Sequence, residues 1–167
     1  VPGQTFPTER RPFRLGARPD LRRPADLEEV AFWPLTHLAW LIESRQVSAV
    51  ELTRMYLARL RRYDPLLECV ITLTEALALE QAGRADRELA EGRYRGTLHG
   101  IPWGAKDLLA KRGYPTTWGS EAYREQVIDM DATVVQRLEE AGAVLVAKLS
   151  TGEIARGDQW FGGKQTK

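Results

Sequence analysis

A nearly all-apolar segment near the end of the chain constrains the fold more than any other feature. Residues 143–147 read Ala-Val-Leu-Val-Ala and follow a helical pattern that runs from Asp131 to Gly142. A strand without polar side chains is typical of a sheet that is covered on both faces. Helix, short turn and buried strand in succession predict a layer of an α/β fold.

Two long helices are predicted upstream of this layer. Ser48-Ala-Val-Glu51 is a capping box, in which the serine accepts from the third backbone amide and the glutamate reaches back, so a helix begins there. Asp64-Pro65 predicts its end, because a residue before proline avoids the helical conformation. After a short strand at Cys69–Leu73, a second helix is predicted from Thr74 to Glu91. Asp131 is predicted to cap the helix before the apolar strand.

Composition excludes several classes of protein. The 24 basic and 23 acidic residues leave a net charge of +1, which supplies no field for nucleic acid or an anionic membrane. No stretch approaches the roughly 20 apolar residues that span a bilayer. Cys69 is the only cysteine and is expected to be a buried, unreactive thiol that fits a reducing compartment such as the cytoplasm. His37 and His99 have no visible partner for base catalysis and are too few for a three-histidine zinc site.

Residues 1–25 differ from the rest of the chain. They hold five of the nine prolines, and six arginines against two acidic residues, a local net charge of 6 − 2 = +4. Proline at this density blocks both helices and central strands. We expect an extended leader over residues 1–25 and a single domain over residues 26–167; a basic arm that contacts a partner is the alternative interpretation.

Lys106 is the candidate for chemistry. It ends the apolar stretch Ile101-Pro-Trp-Gly-Ala, so its neighbours are apolar side chains or backbone. An ammonium in such surroundings loses hydration, and the neutral amine that results can accept a proton from a hydroxyl nucleophile. The alternative is an ion pair with Asp107 or Asp131, which the spacing alone favours.

Several motifs follow one another along the chain in a recognisable order. They are Gly96-Thr-Leu-His-Gly-Ile-Pro-Trp-Gly-Ala-Lys-Asp107, Thr116-Thr-Trp-Gly-Ser120, Asp131-Ala-Thr-Val-Val, Ala141-Gly-Ala-Val-Leu, and the spaced set Lys148, Glu153, Ala155 and Gly157. Together they resemble the amidase signature hydrolases. The resemblance covers most of the chain, and it is specific because the matches keep their order.

The resemblance implies an α/β fold with a mixed β-sheet flanked by helices. It also implies a hydrolase that cleaves the C–N bond of a carboxamide through an acyl-enzyme without using histidine. Its catalytic group would be a nucleophilic serine, a bridging serine in a cis peptide bond, and a lysine. Lys106 stands at the position of that lysine. No metal or organic cofactor is implied, the substrate would be a small-molecule amide, and a homodimer is left open.

Both catalytic serines of such enzymes lie in a Gly/Ser-rich segment that this sequence does not contain. The serines that are present, Ser44, Ser48, Ser120 and Ser150, do not match them. We therefore expect residues 26–167 to be the amino-terminal part of an amidase signature domain, with an incomplete fold and without activity by themselves.

Two alternatives to a stand-alone amidase remain. The first is the amidase subunit of a tRNA-dependent amidotransferase, which passes ammonia to a partner; the Pro/Arg-rich leader and the tryptophans favour the stand-alone enzyme slightly. The second is a non-catalytic binding domain that retains the fold, which would have no need of Lys106. The substrate stays open, because Ala147, Leu149 and Ser150 depart from the residues common around Lys148 in the family.

Overall fold

Helices and short strands alternate along residues 20–167, which are the part of the chain that the computed structural model describes. The helices are α1 (Leu35–Glu43), α2 (Ala49–Leu67), α3 (Glu75–Ala90) and α4 (Thr133–Glu140). The strands are β1 (Val70–Leu73), β2 (Pro102–Lys106), β3 (Val144–Leu149), β4 (Gln159–Trp160) and β5 (Lys164–Gln165). Single 3-10 turns cover Leu27–Phe32, Glu121–Tyr123 and Glu153–Ala155.

The main sheet is mixed, as the sequence predicts. Its order is β1-β3-β2, with β1 antiparallel and β2 parallel to the central β3. Strand β3 contains the apolar run from the sequence, and it is buried from Val144 to Lys148. Strands β4 and β5 form a separate antiparallel pair. The α/β class is therefore confirmed.

Small side chains let two helices pack closely on the sheet. Ala78, Ala82 and Ala85 of α3 form a buried cluster with Val144 and Val146 of β3. Helix α2 joins this cluster through Ala49 and Leu57. Alanine at the contact brings the helix backbone near the strand, and removal of these apolar surfaces from water stabilises the layer.

The sequence predicts where helix α2 begins and where it ends, and both predictions can be compared with the structure. The capping box at Ser48 and Glu51 is present, with both reciprocal hydrogen bonds formed. The predicted end at Asp64-Pro65 is wrong, because α2 continues through Pro65 to Leu67. Pro65 lies in the last turn of the helix, where it removes one backbone donor without ending the helix. Beyond the helix end, Asp64 Oδ1 accepts from the amides of Cys69 and Val70 at 2.8 Å each.

The predicted cap of α4 is also wrong. Ala132 occupies the capping position, with no side-chain hydrogen bond. Asp131 instead directs its carboxylate to Lys111 and to the amide of Arg112. A carboxylate bound to a cation in this way is not free to cap the helix.

Part of the predicted leader falls among the described residues. The side-chain amide of Gln46 donates to the carbonyl of Leu21 at 3.0 Å, and its oxygen accepts from the Arg23 amide at 2.9 Å. Arg23 also forms an ion pair with Glu51 at 2.8 Å. Residues 1–19 of the leader lie outside the described residues. Within residues 20–167, no helix has both the length and the apolar character needed to span a bilayer.

Candidate active site

Lys106 lies at the carboxyl end of β2, where its side chain is exposed. It pairs in register with Leu149 of β3. Gly104, two residues before Lys106 in β2, leaves space for the side chain of Leu149. A Cβ at Gly104 would lie 2.5 Å from Leu149 Cδ1. The sequence predicts apolar surroundings that dehydrate the amine, but within residues 20–167 the side chain of Lys106 is exposed, so that prediction is wrong for the described residues.

A buried ion pair lies directly behind this strand end. Lys148 Nζ is 2.6 Å from Asp107 Oδ1, and both side chains are completely buried. Lys148 also donates to the carbonyl of Pro115 at 2.8 Å and to Thr116 Oγ1 at 3.1 Å. Asp107 Oδ2 accepts from the amide of Thr117 at 2.9 Å and from its hydroxyl. Asp107 Oδ1 accepts no hydrogen bond, so the ammonium of Lys148 is its only polar partner among the described residues. Two charges removed from water are tolerated only when they neutralise each other in this way.

A second lysine–carboxylate pair lies farther from the sheet. Lys111 Nζ is 2.9 Å from Asp131 Oδ2 and 3.3 Å from Glu139 Oε2. Burial lowers the pKa of Lys111, but its contacts with Asp131 and Glu139 more than offset this, and the pKa is raised overall. This pair connects the loop after β2 with helix α4.

The Lys148–Asp107 and Lys111–Asp131 pairs show whether Lys106 can itself form an ion pair with either aspartate. The sequence suggests Asp107 and Asp131 as its partners, and each carboxylate binds a different lysine. Lys106 makes no hydrogen bond or ion pair with any other residue in the range 20–167. The ion-pair interpretation is therefore wrong for the described residues, and Lys106 is available for other chemistry.

The Thr116–Ser120 motif forms a turn that joins the strand ends to the loop after β3. The amide of Trp118 donates to the carbonyl of Asp107 at 3.2 Å, and its own carbonyl accepts from Ile154 at 2.7 Å. Gly119 has φ +71°, and a Cβ there would lie 2.2 Å from the carbonyl oxygen of Thr151. Only glycine fits such a close approach in this conformation. Ser120 completes the contact, since its hydroxyl donates to Glu153 at 2.6 Å.

The four serines are all engaged away from Lys106. Ser44 donates to the carbonyl of Trp40, and Ser48 caps α2. Ser120 binds Glu153, and Ser150 shares a hydrogen bond with Thr166 at 2.6 Å. The structure therefore brings no serine hydroxyl of residues 20–167 into hydrogen-bond contact with the candidate lysine.

The histidines and the cysteine have structural surroundings. His99 is completely buried, with Nε2 2.8 Å from the carbonyl of Ala85. His37 stacks on Trp40 at 5.5 Å between ring centroids. Cys69 is half-buried, and burial, with the nearby charge of Asp64, raises the pKa of its thiol. A raised pKa leaves little thiolate, so the prediction of an unreactive thiol agrees with these surroundings.

Sequence reasoning missed Lys148 and Thr117 as parts of this cluster. Lys148 follows four apolar residues in β3, and a lysine in a fully buried strand needs a counter-charge. That requirement is the signal that could have identified it, with Asp107 as the nearest carboxylate of a neighbouring apolar strand. We call Lys106, Asp107, Thr116, Thr117 and Lys148 the strand-end cluster.

Comparison with known proteins gives consistent matches. The family model described as Amidase matches residues 51–159. A glutamyl-tRNA(Gln) amidotransferase subunit from Methylococcus capsulatus is 45% identical over 123 residues, which are 74% of this chain and 25% of that protein. The native peptide amidase of Stenotrophomonas maltophilia superposes with a TM-score of 0.71 at 36% identity, over 75% of this chain and 26% of that one.

A more distant structure supports the fold alone. A fatty acid amide hydrolase superposes with a TM-score of 0.75 at 24% identity, over 83% of this chain and 25% of that one. In each of these comparisons the chain spans about a quarter of the length of the protein that it matches. All the motifs of the strand-end cluster fall within the residues that match the family model.

Proposed function

The chain belongs to the amidase family, and from that premise we propose that it is the amino-terminal part of an enzyme that hydrolyses a carboxamide, with Lys106 as its proton acceptor. The family acts on amide substrates. The observation that carries the proposal is the unpaired amine of Lys106 at a strand end where both neighbouring carboxylates are already bound to other lysines.

The proposed chemistry needs a relay of protons. A nucleophilic serine attacks the amide carbon, and its proton passes to a bridging serine, whose own proton passes to Lys106 Nζ. Lys106 then returns its proton through the bridging serine to the amide nitrogen, the C–N bond breaks, and the amine leaves. Water, deprotonated through the same groups, hydrolyses the acyl ester, and the proton returns to the serine as its hydroxyl is restored. Backbone amides that face the developing oxyanion would stabilise the tetrahedral intermediate.

Lys106 can take part only as a neutral amine, since an ammonium has no lone pair to accept a proton. The relatives are about four times as long as the segment that they share with this chain. In our proposal the serines are carried by further polypeptide that also covers the exposed amine. Removal of water from the amine would then favour its neutral form.

The test compares Lys106 variants in a polypeptide extended to the length of its relatives. Lys106→Arg keeps a cation but cannot release a proton at working pH, so hydrolysis of a simple aryl amide should fall about 10²- to 10⁴-fold, nearly as far as in Lys106→Ala. Lys106→Met should still fold. Lys111→Arg, which changes a lysine outside the strand-end cluster, is the matched control and should hydrolyse normally. Near-normal hydrolysis by Lys106→Arg would show that the proposed role is wrong.

The 167-residue chain alone should not hydrolyse amides, because none of its serines contacts Lys106 among the described residues. Turnover by this chain that Lys106→Ala abolishes would contradict the proposal. If the extended polypeptide binds amides without hydrolysing them, the chain is instead a binding domain that retains the fold.

A second candidate is the amidase subunit of a tRNA-dependent amidotransferase, which the 45% identity to such a subunit supports. Such a subunit would work with partner chains and pass ammonia to them. Co-purification of partner subunits, with transfer of amide nitrogen to a charged tRNA, would favour it. Hydrolysis by a single chain with water as acceptor would favour the stand-alone amidase. The free thiol of Cys69 supports a cytoplasmic setting for either.

A further inference from the structure

We propose that Lys148 is a positioning residue: by binding Asp107 it keeps that carboxylate away from Lys106, and it thereby leaves Lys106 as an unpaired amine. The inference rests on the proposed role of Lys106 for its meaning in catalysis. Its electrostatic claim, that Asp107 has Lys148 and not Lys106 as its counter-ion, can be tested without measuring hydrolysis.

The register of the strands separates the two lysines. Ala105 pairs with Lys148, and Lys106 pairs with Leu149. Because side chains alternate along a strand, Lys148 shares a face of the sheet with Ala105 and Asp107, whereas Lys106 and Leu149 lie on the other face. Burial agrees with this division, since Ala105, Asp107 and Lys148 are fully buried and Lys106 is exposed.

Asp107 is the carboxylate next to Lys106 in the chain, although its side chain lies on the buried face of the sheet and that of Lys106 on the exposed face. The two residues are consecutive, with Cα atoms about 3.8 Å apart. A carboxylate within a few ångströms of an amine stabilises the cation and so opposes proton acceptance. Lys148 prevents this by placing an ammonium 2.6 Å from Asp107 Oδ1, inside the protein.

The same contacts fix the backbone next to Lys106. The amide of Asp107 donates to the carbonyl of Leu149 at 2.8 Å, and its carbonyl accepts from Trp118. Lys148 holds the start of the turn through the carbonyl of Pro115. An apolar pair of similar size could fill this space, but it would leave the carbonyl of Pro115 and the amide of Thr117 without their side-chain partners. The buried charges therefore specify one geometry for the strand end, whatever they contribute to stability.

Few carboxylates other than that of Asp107 lie on the elements around Lys106. Strand β1 has no ionisable group between Val70 and Leu73, the only one on β3 is Lys148, and α2 carries four arginines, two tyrosines and two carboxylates. Helix α2, which packs against β2, has its carboxylates engaged: Glu51 with Ser48 and Arg23, and Asp64 with the amides of Cys69 and Val70. In the loop after β3, Glu153 accepts from Ser120. Asp107 is thus the carboxylate that would most stabilise the charged form of Lys106 if it lost its partner Lys148.

The experiment follows the charge of Lys106 directly by NMR. The chain has only five lysines, so the Cε resonances of ¹³C-lysine can be assigned by single substitutions, with Lys106→Arg identifying Lys106. Lysine amines titrate near pH 10, where a carboxylate is ionised. In Lys148→Met, the titration midpoint of Lys106 should rise by about one pH unit, because Asp107 is left with Lys106 as its nearest cation.

The double variant Asp107→Asn/Lys148→Met guards against a failure to fold, because it removes both buried charges together. Its Lys106 midpoint should equal that of the unsubstituted chain, since Asp107 is already neutralised there. Lys111→Met, which breaks the pair with Asp131, is the control and should not move the midpoint.

Two results would overturn the inference. One is an unchanged Lys106 midpoint in a Lys148→Met chain whose amide spectrum stays native. The other is a clearly lowered midpoint in the double variant, which would mean that Asp107 already acts on Lys106. Neither depends on hydrolysis, so failure here is distinct from failure of the Lys106 variants in the amidase assay.

Discussion

The Lys148–Asp107 pair and the Lys111–Asp131 pair place the same two chemical groups in different surroundings. In the first pair both side chains are 0% exposed, whereas in the second the lysine is 10% and the aspartate 24% exposed. The inner pair joins two strands to the turn after β2, and the outer pair joins a loop to α4. Water and salt can weaken the outer pair, but the inner pair depends wholly on its protein partners. We therefore expect the two lysines to respond differently to the same substitution.

The largest difference should appear when each lysine is replaced by methionine. Lys148→Met leaves the carboxylate of Asp107 buried without a counter-ion, which should lower the free energy of unfolding by about 3–5 kcal/mol. Lys111→Met should cost about 1 kcal/mol or less, because water reaches Asp131. Urea unfolding followed by circular dichroism measures both values. Equal losses in the two variants would mean that burial does not distinguish the pairs.

Removal of both inner charges should recover much of that loss. Asp107→Asn/Lys148→Met leaves an amide that can still accept from Thr117, while the carbonyl of Pro115 and Thr116 Oγ1 lose their donor. These losses also occur in Lys148→Met, which in addition leaves a buried unpaired carboxylate, so the double variant should be more stable than Lys148→Met alone. A double-mutant cycle with the two single variants gives the coupling energy. A double variant as unstable as the sum of its single variants would contradict a direct interaction.

The contrast between the two ion pairs also shows which structural features can be predicted from the sequence. Local signals predicted the elements well: the capping box at Ser48 and Glu51 begins α2, and the apolar run 143–147 lies in the central strand. Such features depend on neighbours in the chain. The end of α2 was misplaced, because a proline in the last turn removes only one backbone donor and the dipeptide Asp64-Pro65 alone does not fix where the helix ends.

Partners that are distant in sequence were the part that could not be predicted. Asp107 and Lys148 are brought together by the parallel pairing of β2 and β3, and the register of that pairing is a tertiary property. The sequence offered Asp107 and Asp131 as partners of Lys106, and only the fold shows that Lys148 and Lys111 bind them. The motif containing Lys106 was recognised by its resemblance to a family, whereas its unpaired state required the structure.

The outer pair should be the one that responds to acid. Burial raises the pKa of Asp131, but hydrogen bonds from Lys111 and the Arg112 amide more than offset this, so the pKa is lowered overall. Burial also raises the pKa of Glu139, and its contacts with Arg84 and Lys111 likewise lower it overall. A carboxyl group with a lowered pKa in the folded state stabilises the protein above its unfolded pKa of about 4. That contribution is lost as the pH falls through the lower folded value.

The smallest predicted effect therefore concerns the melting temperature of Lys111→Met. Its difference from the unsubstituted chain should be constant between about pH 6 and 8, because both carboxylates and the ammonium are ionised there. The difference should shrink below about pH 4, as the carboxylates become protonated, and it should also shrink in 1 M salt, which screens exposed charges. Arg54→Met, a change at an exposed cation that forms no ion pair with a carboxylate among the described residues, is the control and should show no such pH dependence. If the Lys111→Met difference persists at pH 3 and in high salt, the outer pair acts through packing of the lysine stem, and the contrast with the inner pair is one of shape, not of access to water.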